Sequence, residues 1–317
     1  MDPLSDAQLV AAFRAGKARA LAQAISVVER GGAGATTLVR ELCQDAPAAA
    51  VTGFTGPPGA GKSTLVDAVI GALRGQDRSV AVLAVDPSSP FSGGALLGDR
   101  VRMRTHALDH SVFVRSMGAR GHLGGLAAAA RDSIRLLGAF GFDEILLETV
   151  GVGQSELEVA SLAQTTVLVL MPGQGDAVQM LKAGVMEIAD VFAVNKADHP
   201  GAQSTVKEIR HFLNLGPRRD WRPPILTTVA RAGEGVAELV SAIETHRRYL
   251  DSETQGSAER EQQLGAEVVA LVADWARRHA IEALREDPSL VARLIADGIP
   301  HSAAEAIICR LREGPRR

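Results

Sequence analysis

Seven short, continuous apolar runs between residues 51 and 229 constrain the fold of this chain more than any other feature. They are VTGFT (51–55), VAVLAV (80–85), VFV (112–114), EILLET (144–149), TTVLVLM (165–171), DVFAVN (190–195) and ILTTV (225–229). Runs that do not alternate with polar residues belong to strands buried on both faces. The stretches between them read as helical, so strands and helices take turns along the chain. That order predicts an α/β fold: a doubly wound, mainly parallel sheet sandwiched by helices. The side chains agree, since 46% of the 317 residues are hydrophobic but only 3% are aromatic. Small aliphatic groups suit helices packed closely on a parallel sheet.

Flanking segments carry no strand signal. Residues 5–45 read as helices, with an N-capping candidate at Ser5 and a break at GGAGA (31–35). Beyond residue 236, two helices are expected over 258–285 and 288–312, broken at Pro288 and Pro300. The polar stretch LDSETQGSAEREQ (250–262) marks a boundary. The expected organisation is an N-terminal helical extension (1–45), a central α/β domain (46–250) and a C-terminal helical arm (251–317).

The loop after the first run carries the chemistry. Gly56-Pro57-Pro58-Gly59-Ala60-Gly61-Lys62-Ser63 fits G-x-x-x-x-G-K-[ST], follows a strand and opens a helix, with Thr64 in the first helical turn. Glycines let backbone N–H groups turn inward around phosphates, and the helix N-terminus adds partial positive charge. Lys62 is expected to reach the β- and γ-phosphates, and Ser63 to hold Mg²⁺ through its hydroxyl. This predicts a P-loop site for a nucleoside triphosphate.

Asn195-Lys196-Ala197-Asp198 follows a later run and resembles the guanine-reading motif of GTP-binding proteins. The Asp198 carboxylate would accept from guanine N1–H and its exocyclic amine, a fit adenine does not offer. The bland alternative is a surface turn capped by Asp198. Val229-Ala230-Arg231, after the last run, sits where such proteins present a Ser-Ala pair to the guanine carbonyl. The serine is missing, but a backbone N–H at Ala230 can make that contact.

Carboxyl ends of strands carry the ligands in such a sheet. Asp86 and Glu148 end their runs there, where Mg²⁺ and its waters require carboxylates. Asp86 could instead initiate an Asp-Pro-Ser-Ser turn. Glu148-Thr149-Val150-Gly151 stands in place of an Asp-x-x-Gly switch, whose glycine N–H senses the γ-phosphate. Asp99 is a further candidate for the metal or the attacking water, or else a solvated helix residue. GQGDAVQMLKAG (173–184), with Asp176, Gln179 and Lys182, follows another strand end as a candidate sensor or partner surface.

Taken together, VAVLAVDPSSPFSGGALLGDRVRM, RGHLGGLA (120–127), ILLETVGVGQSE (145–156), MPGQGDAVQMLKAG and FAVNKAD are similar to the MeaB/ArgK/MMAA family of P-loop GTPases. The likeness spans most of residues 5–250. It implies a GTPase that chaperones an adenosylcobalamin-dependent acyl-CoA mutase, gating cofactor loading, protecting the enzyme and helping to eject damaged cobalamin. By the same likeness, hydrolysis of GTP to GDP is stimulated by the mutase. Asp86, Asp99 and Glu148 are then the acids of the metal and switch region, Gln179 and Lys182 lie in an additional switch, and the C-terminal helices form a homodimerisation arm. No Asp-x-His-x-x-Gly is present, so cobalt ligation through that motif is not expected.

Composition narrows the partners. A net charge of -3 provides no global field for nucleic acid or anionic lipid. Cys43 and Cys309 have no metal-like spacing, MDPLSDAQLV has no signal-peptide character, and no apolar run approaches the roughly 18 residues of a membrane span. A cytoplasmic protein is expected. Two alternatives share the P-loop: a kinase, which would form a phosphorylated product, and a metal-insertion GTPase, which would carry Cys- or His-rich ligand clusters.

Overall fold

In a computed structural model the described residues are 6–44, 49–86, 106, 108–118, 123–149, 162–173, 185–216, 220–252, 256–289, 291–292 and 300–313. Each apolar run is a strand. They are β1 (Ala50–Thr55), β2 (Val80–Asp86), β3 (Val112–Gly118), β4 (Glu144–Thr149), β5 (Thr165–Leu170), β6 (Val191–Asn195) and β7 (Ile225–Thr228). The helices are α1 (Asp6–Arg14), α2 (Ala18–Arg30), α3 (Ala33–Cys43), α4 (Lys62–Arg74), α5 (Leu123–Phe140), α6 (Ala202–Leu215), α7 (Val236–Leu250), α8 (Gly256–Glu286) and α9 (Pro300–Glu313).

The strands form one sheet in the order β3-β2-β4-β1-β5-β6-β7, with every pairing parallel. From β1 the chain winds out to β2 and β3, then returns through β4 and continues on the other side of β1 to β7. The order therefore reverses at β1, and the crevice at that reversal lies where the phosphate-type loop begins.

Pleating sorts each run between two helical layers. Val80, Val82, Leu146, Val167, Val169, Val191 and Ala193 face α4 and α7. Val51, Ala81 and Ile145 face α1, α2, α3 and α5, while Leu168, Leu170, Phe192 and Val194 meet α6. Burying each large aliphatic side chain is worth about 1.5–3 kcal/mol, which makes this two-faced core the main source of stability. The N-terminal helices belong to it: Leu21, Ile25 and Val28 of α2 are buried in the cluster that holds Leu136 and Leu137 of α5.

Local departures from the sequence expectation have local causes. The VFV run continues to Gly118 because Arg115, which breaks the apolar pattern, is neutralised from outside the sheet. Its Nη2 donates to Glu29 Oε2 at 2.7 Å and Ser26 Oγ at 3.0 Å, both on α2. The GGAGA break is confined to Gly31 and Gly32, since α3 begins at Ala33. A further break at 15–17 separates α1 from α2. Pro300 starts α9 rather than interrupting a helix, because a first-turn proline lacks only an N–H that no helix would use. Ser5 lies outside the described residues.

Contacts divide the chain into two compact units, Met1–Gln255 and Gly256–Arg317. In the second, Ala283 of α8 and Ile307 of α9 form a small core. Elsewhere on α8, Val268, Leu271, Val272 and Trp275 are exposed at helical spacing. No described helix is long and apolar enough to cross a membrane.

One buried histidine makes the fold acid-sensitive. His246 on α7 is 3% exposed, with Nδ1 2.9 Å from Thr165 Oγ1 and its ring against Trp221. Burial, assisted by the Arg247 charge, pulls its pKa down to about 4 from 6.5. The unfolded chain therefore takes up this proton first, so the stability is present above pH 6.5 and is lost as pH falls toward 4. At about 1.4 kcal/mol per pH unit, the loss is about 3 kcal/mol. Urea denaturation at about pH 7 and about pH 4.5 should show it, and His246→Gln should flatten that difference.

Candidate functional site

The loop between β1 and α4 is shaped by close backbone approach. Gly56 has φ +141°, and a Cβ there would lie 2.1 Å from the carbonyl oxygen of Val169 on β5. Only glycine lets the chain leave β1 this close to its neighbour. Lys62, 7% exposed at the start of α4, folds back so that Nζ donates to Gly56 O at 2.6 Å and Pro57 O at 3.1 Å. The loop thus closes around an ammonium group held at the mouth of a helix N-terminus.

A second loop locks onto the first. Asn195 ends β6 and is 2% exposed. Its Nδ2 donates to Ala60 O at 2.9 Å, and its Oδ1 accepts from Thr228 Oγ1 and the Ala230 N–H, both at 3.2 Å. One amide therefore joins the β1–α4 loop to the turn after β7. Lys196 follows with φ +57°, a left-handed conformation that non-glycine residues seldom adopt, and its Nζ donates to Gly59 O at 2.8 Å. Such conformations persist where surrounding contacts over-determine them, as they do here. The Ala197 N–H donates to Thr228 O, and Asp198 is exposed at the tip of this turn.

Opposite the lysine stands a hydroxyl–carboxylate pair. Ser63 Oγ donates to Glu148 Oε1 at 2.5 Å, and Glu148, near the carboxyl end of β4, is 2% exposed. Two hard oxygen donors on rigid elements fit Mg²⁺, which takes few protein ligands and completes its shell with phosphates and water. Asp86 closes β2 at the same rim. Among the described residues no group of three His, Cys, Asp or Glu could hold a metal ion.

The structure therefore brings together Gly56, Pro57, Gly59, Ala60, Gly61, Lys62, Ser63, Glu148, Asn195, Lys196 and Ala230. Pro58 and Thr64 belong to the same loop and first helical turn. Asp99, Gly151, Asp176, Gln179 and Lys182 lie outside the described residues. The N–H of Ala230, expected to face guanine, donates to Asn195 Oδ1 and so ties the turn after β7 to the end of β6. Sequence reasoning passed over Thr228 and Met171. Thr228 is a buried polar residue at a strand end, a legible signal, whereas Met171, 3.7 Å from Lys196 Nζ through Sδ, carried none.

A phosphate-type loop at the reversal of a parallel sheet defines a P-loop nucleoside triphosphatase. The profile of the family described as methylmalonyl-CoA mutase-associated GTPase MeaB matches residues 21–285, and the chain belongs to that family of GTPases. A GTPase of Pyrococcus horikoshii is 42% identical over 97% of this chain and 98% of its own length. The Escherichia coli GTPase ArgK is 37% identical over 81% of this chain and 80% of its own. Among solved structures, one described as LAO/AO transport system kinase superposes with a TM-score of 0.70 at 25% identity, covering 97% of both chains.

Two glycines of the loop should respond differently to a methyl group. Gly56→Ala meets an immovable backbone carbonyl and should cost at least about 3 kcal/mol. At Gly59 the nearest neighbour is Met171 Cε at 3.8 Å. Gly59→Ala therefore carries only left-handed strain, about 1–2 kcal/mol. Denaturant midpoints of the two variants test the order.

Proposed function

We propose that this GTPase is a chaperone of an acyl-CoA mutase of the methylmalonyl-CoA type, gating adenosylcobalamin loading, protecting the mutase and reactivating it. The observation that carries this reading is the family match over 265 of 317 residues, read from 21–285, to a GTPase defined by its association with that mutase. The chemistry of the site supports the nucleotide half. Lys62 would neutralise the β- and γ-phosphates, while backbone N–H groups of Gly59 to Thr64 cradle them. Asn195 and Asp198 would read guanine, with Lys196 bracing the loop beneath it. Magnesium would be held by Ser63, with Asp86, Asp99 and Glu148 around it, and would offset the charge of the phosphates. Gly151 and the segment bearing Gln179 and Lys182 would change conformation when the γ-phosphate leaves, and the mutase would sense that change and in turn stimulate hydrolysis.

One further feature fits a homodimer. The exposed stripe of Val268, Leu271, Val272 and Trp275 on α8 is an apolar face of the kind that a second copy covers. Replacing Val272 by Asp should convert a dimer to a monomer in sedimentation velocity without altering GTP affinity.

The central test is direct. A cobalamin-dependent acyl-CoA mutase should co-purify with the chain in a nucleotide-dependent manner and raise its GTP turnover; failure to bind in any nucleotide state would sink the chaperone role. Lys62→Ala should weaken GTP binding on the order of 100-fold in calorimetry. Glu148→Ala should slow phosphate release more than it weakens binding. Asp198→Asn should shift preference from guanosine to xanthosine triphosphate, because the substituted amide matches the xanthine edge. A kinase reading is favoured by the description of the solved relative. It predicts a phosphorylated acceptor forming faster than free phosphate.

A further inference from the structure

The far end of α7 is held by a polar arrangement that nucleotide binding does not itself require. Glu144 opens β4 at the amino-end rim of the sheet, away from the phosphate loop, and is 1% exposed. Arg247 of α7 donates to both of its oxygens, through Nη1 at 2.5 Å and through Nη2. Arg78, in the turn after α4, donates to the same carboxylate through Nη2 and to Glu244 Oε1 through Nη1 at 2.8 Å. Arg247 Nη2 also reaches Thr52 Oγ1 on β1 at 2.9 Å. The adjacent residue, His246, turns the other way, toward Thr165 on β5 and Asp190. The last turns of α7 are thus fastened to β4, β1 and β5 together.

Buried ion pairs of this kind seldom add net stability over apolar side chains of similar volume. What an arginine fork on a carboxylate fixes is orientation, since both bonds form in one planar geometry. The helix so oriented is fifteen residues long, a stiff rod of about 22 Å. Its opposite end enters the guanine side of the site. Gly235, which caps α7, has no clearance: a Cβ there would lie 2.1 Å from Thr227 O on β7. Thr228 and Ala230, the next contacts along that loop, are the two donors to Asn195 Oδ1, and Val229 N donates to Glu234 O at 3.0 Å. A tilt or slide of α7 therefore reaches Asn195 through the close contact of Gly235 with Thr227 and the Val229–Glu234 bridge.

We infer that Arg247 and Glu144 are positioning residues for guanine discrimination. They set the tilt and register of α7 and thereby hold the Thr228–Ala230 turn against Asn195, without touching the nucleotide. The assignment presupposes guanine recognition by Asn195 and Asp198, so wild-type affinities for GDP and ADP are measured beside those of the variants.

Calorimetry on the full chain compares wild type, Arg247→Met, Arg247→Lys and Ile243→Ala. Arg247→Lys keeps a positive charge beside the buried carboxylate, so the chain can fold while the fork and the Thr52 bond are lost. The GDP-over-ADP preference should fall by about tenfold or more in both Arg247 variants, through weaker GDP binding, while ADP affinity stays within about twofold. Ile243, buried on the same helix, is the control for general loosening. Ile243→Ala should lower the thermal midpoint yet leave the preference within about twofold. A preference retained in both Arg247 variants, or lost equally in Ile243→Ala, overturns the inference. A wild-type chain that does not favour GDP would overturn the guanine reading beneath it, a result distinct from variants that discriminate as well as wild type.

Discussion

The carboxamide of Asn195 holds the two halves of the site in one piece. It donates to the loop after β1 and accepts from the turn after β7, while its own backbone ends β6 between them. Buried amides are costly unless satisfied, and this one is satisfied only when both loops occupy these positions. The arrangement is therefore close to all-or-none: a displaced loop leaves a buried donor or acceptor without its partner. Two loops far apart in sequence thereby become parts of a single object.

That object depends on a scaffold that resists deformation. Parallel strands buried on both faces place Thr55, Glu148 and Asn195 at one rim, and the helices above and below leave little free volume for them to shift. The N-terminal helices contribute to this rather than standing apart, because α2 and α5 cover the face that would otherwise expose Val51, Ala81 and Ile145. Rigidity at the strand ends keeps the loop after β1 and the turn after β6 in register with one another.

The opposite rim carries the charges that the apolar pattern hides. Glu144, Arg78 and Arg247 sit within or beside apolar runs and helices, and only their mutual approach makes their burial tolerable. Fastening α7 there gives a helix with one end at the turn after β7 and the other on three strands. Such an arrangement favours defined orientation over raw stability.

Much of this was legible in the order of residues alone. Seven apolar runs with helices between them determined a buried parallel sheet, because such runs have no other way to remove both faces from water. Gly56 to Ser63 and Asn195 to Asp198 read as a phosphate loop and a guanine loop, because few residue types at those spacings can do that chemistry, and the structure brings the two loops together. Sequence order could not say that Arg115 would be neutralised by Glu29, that Ala230 would spend its N–H on Asn195, or that Arg247 would meet Glu144 across 103 positions. Those pairings join side chains distant along the chain, and their energy depends on angles and burial that exist only once the layers have packed. Local pattern encodes which surfaces must be hidden; the tertiary structure alone decides which polar groups find one another in hiding them.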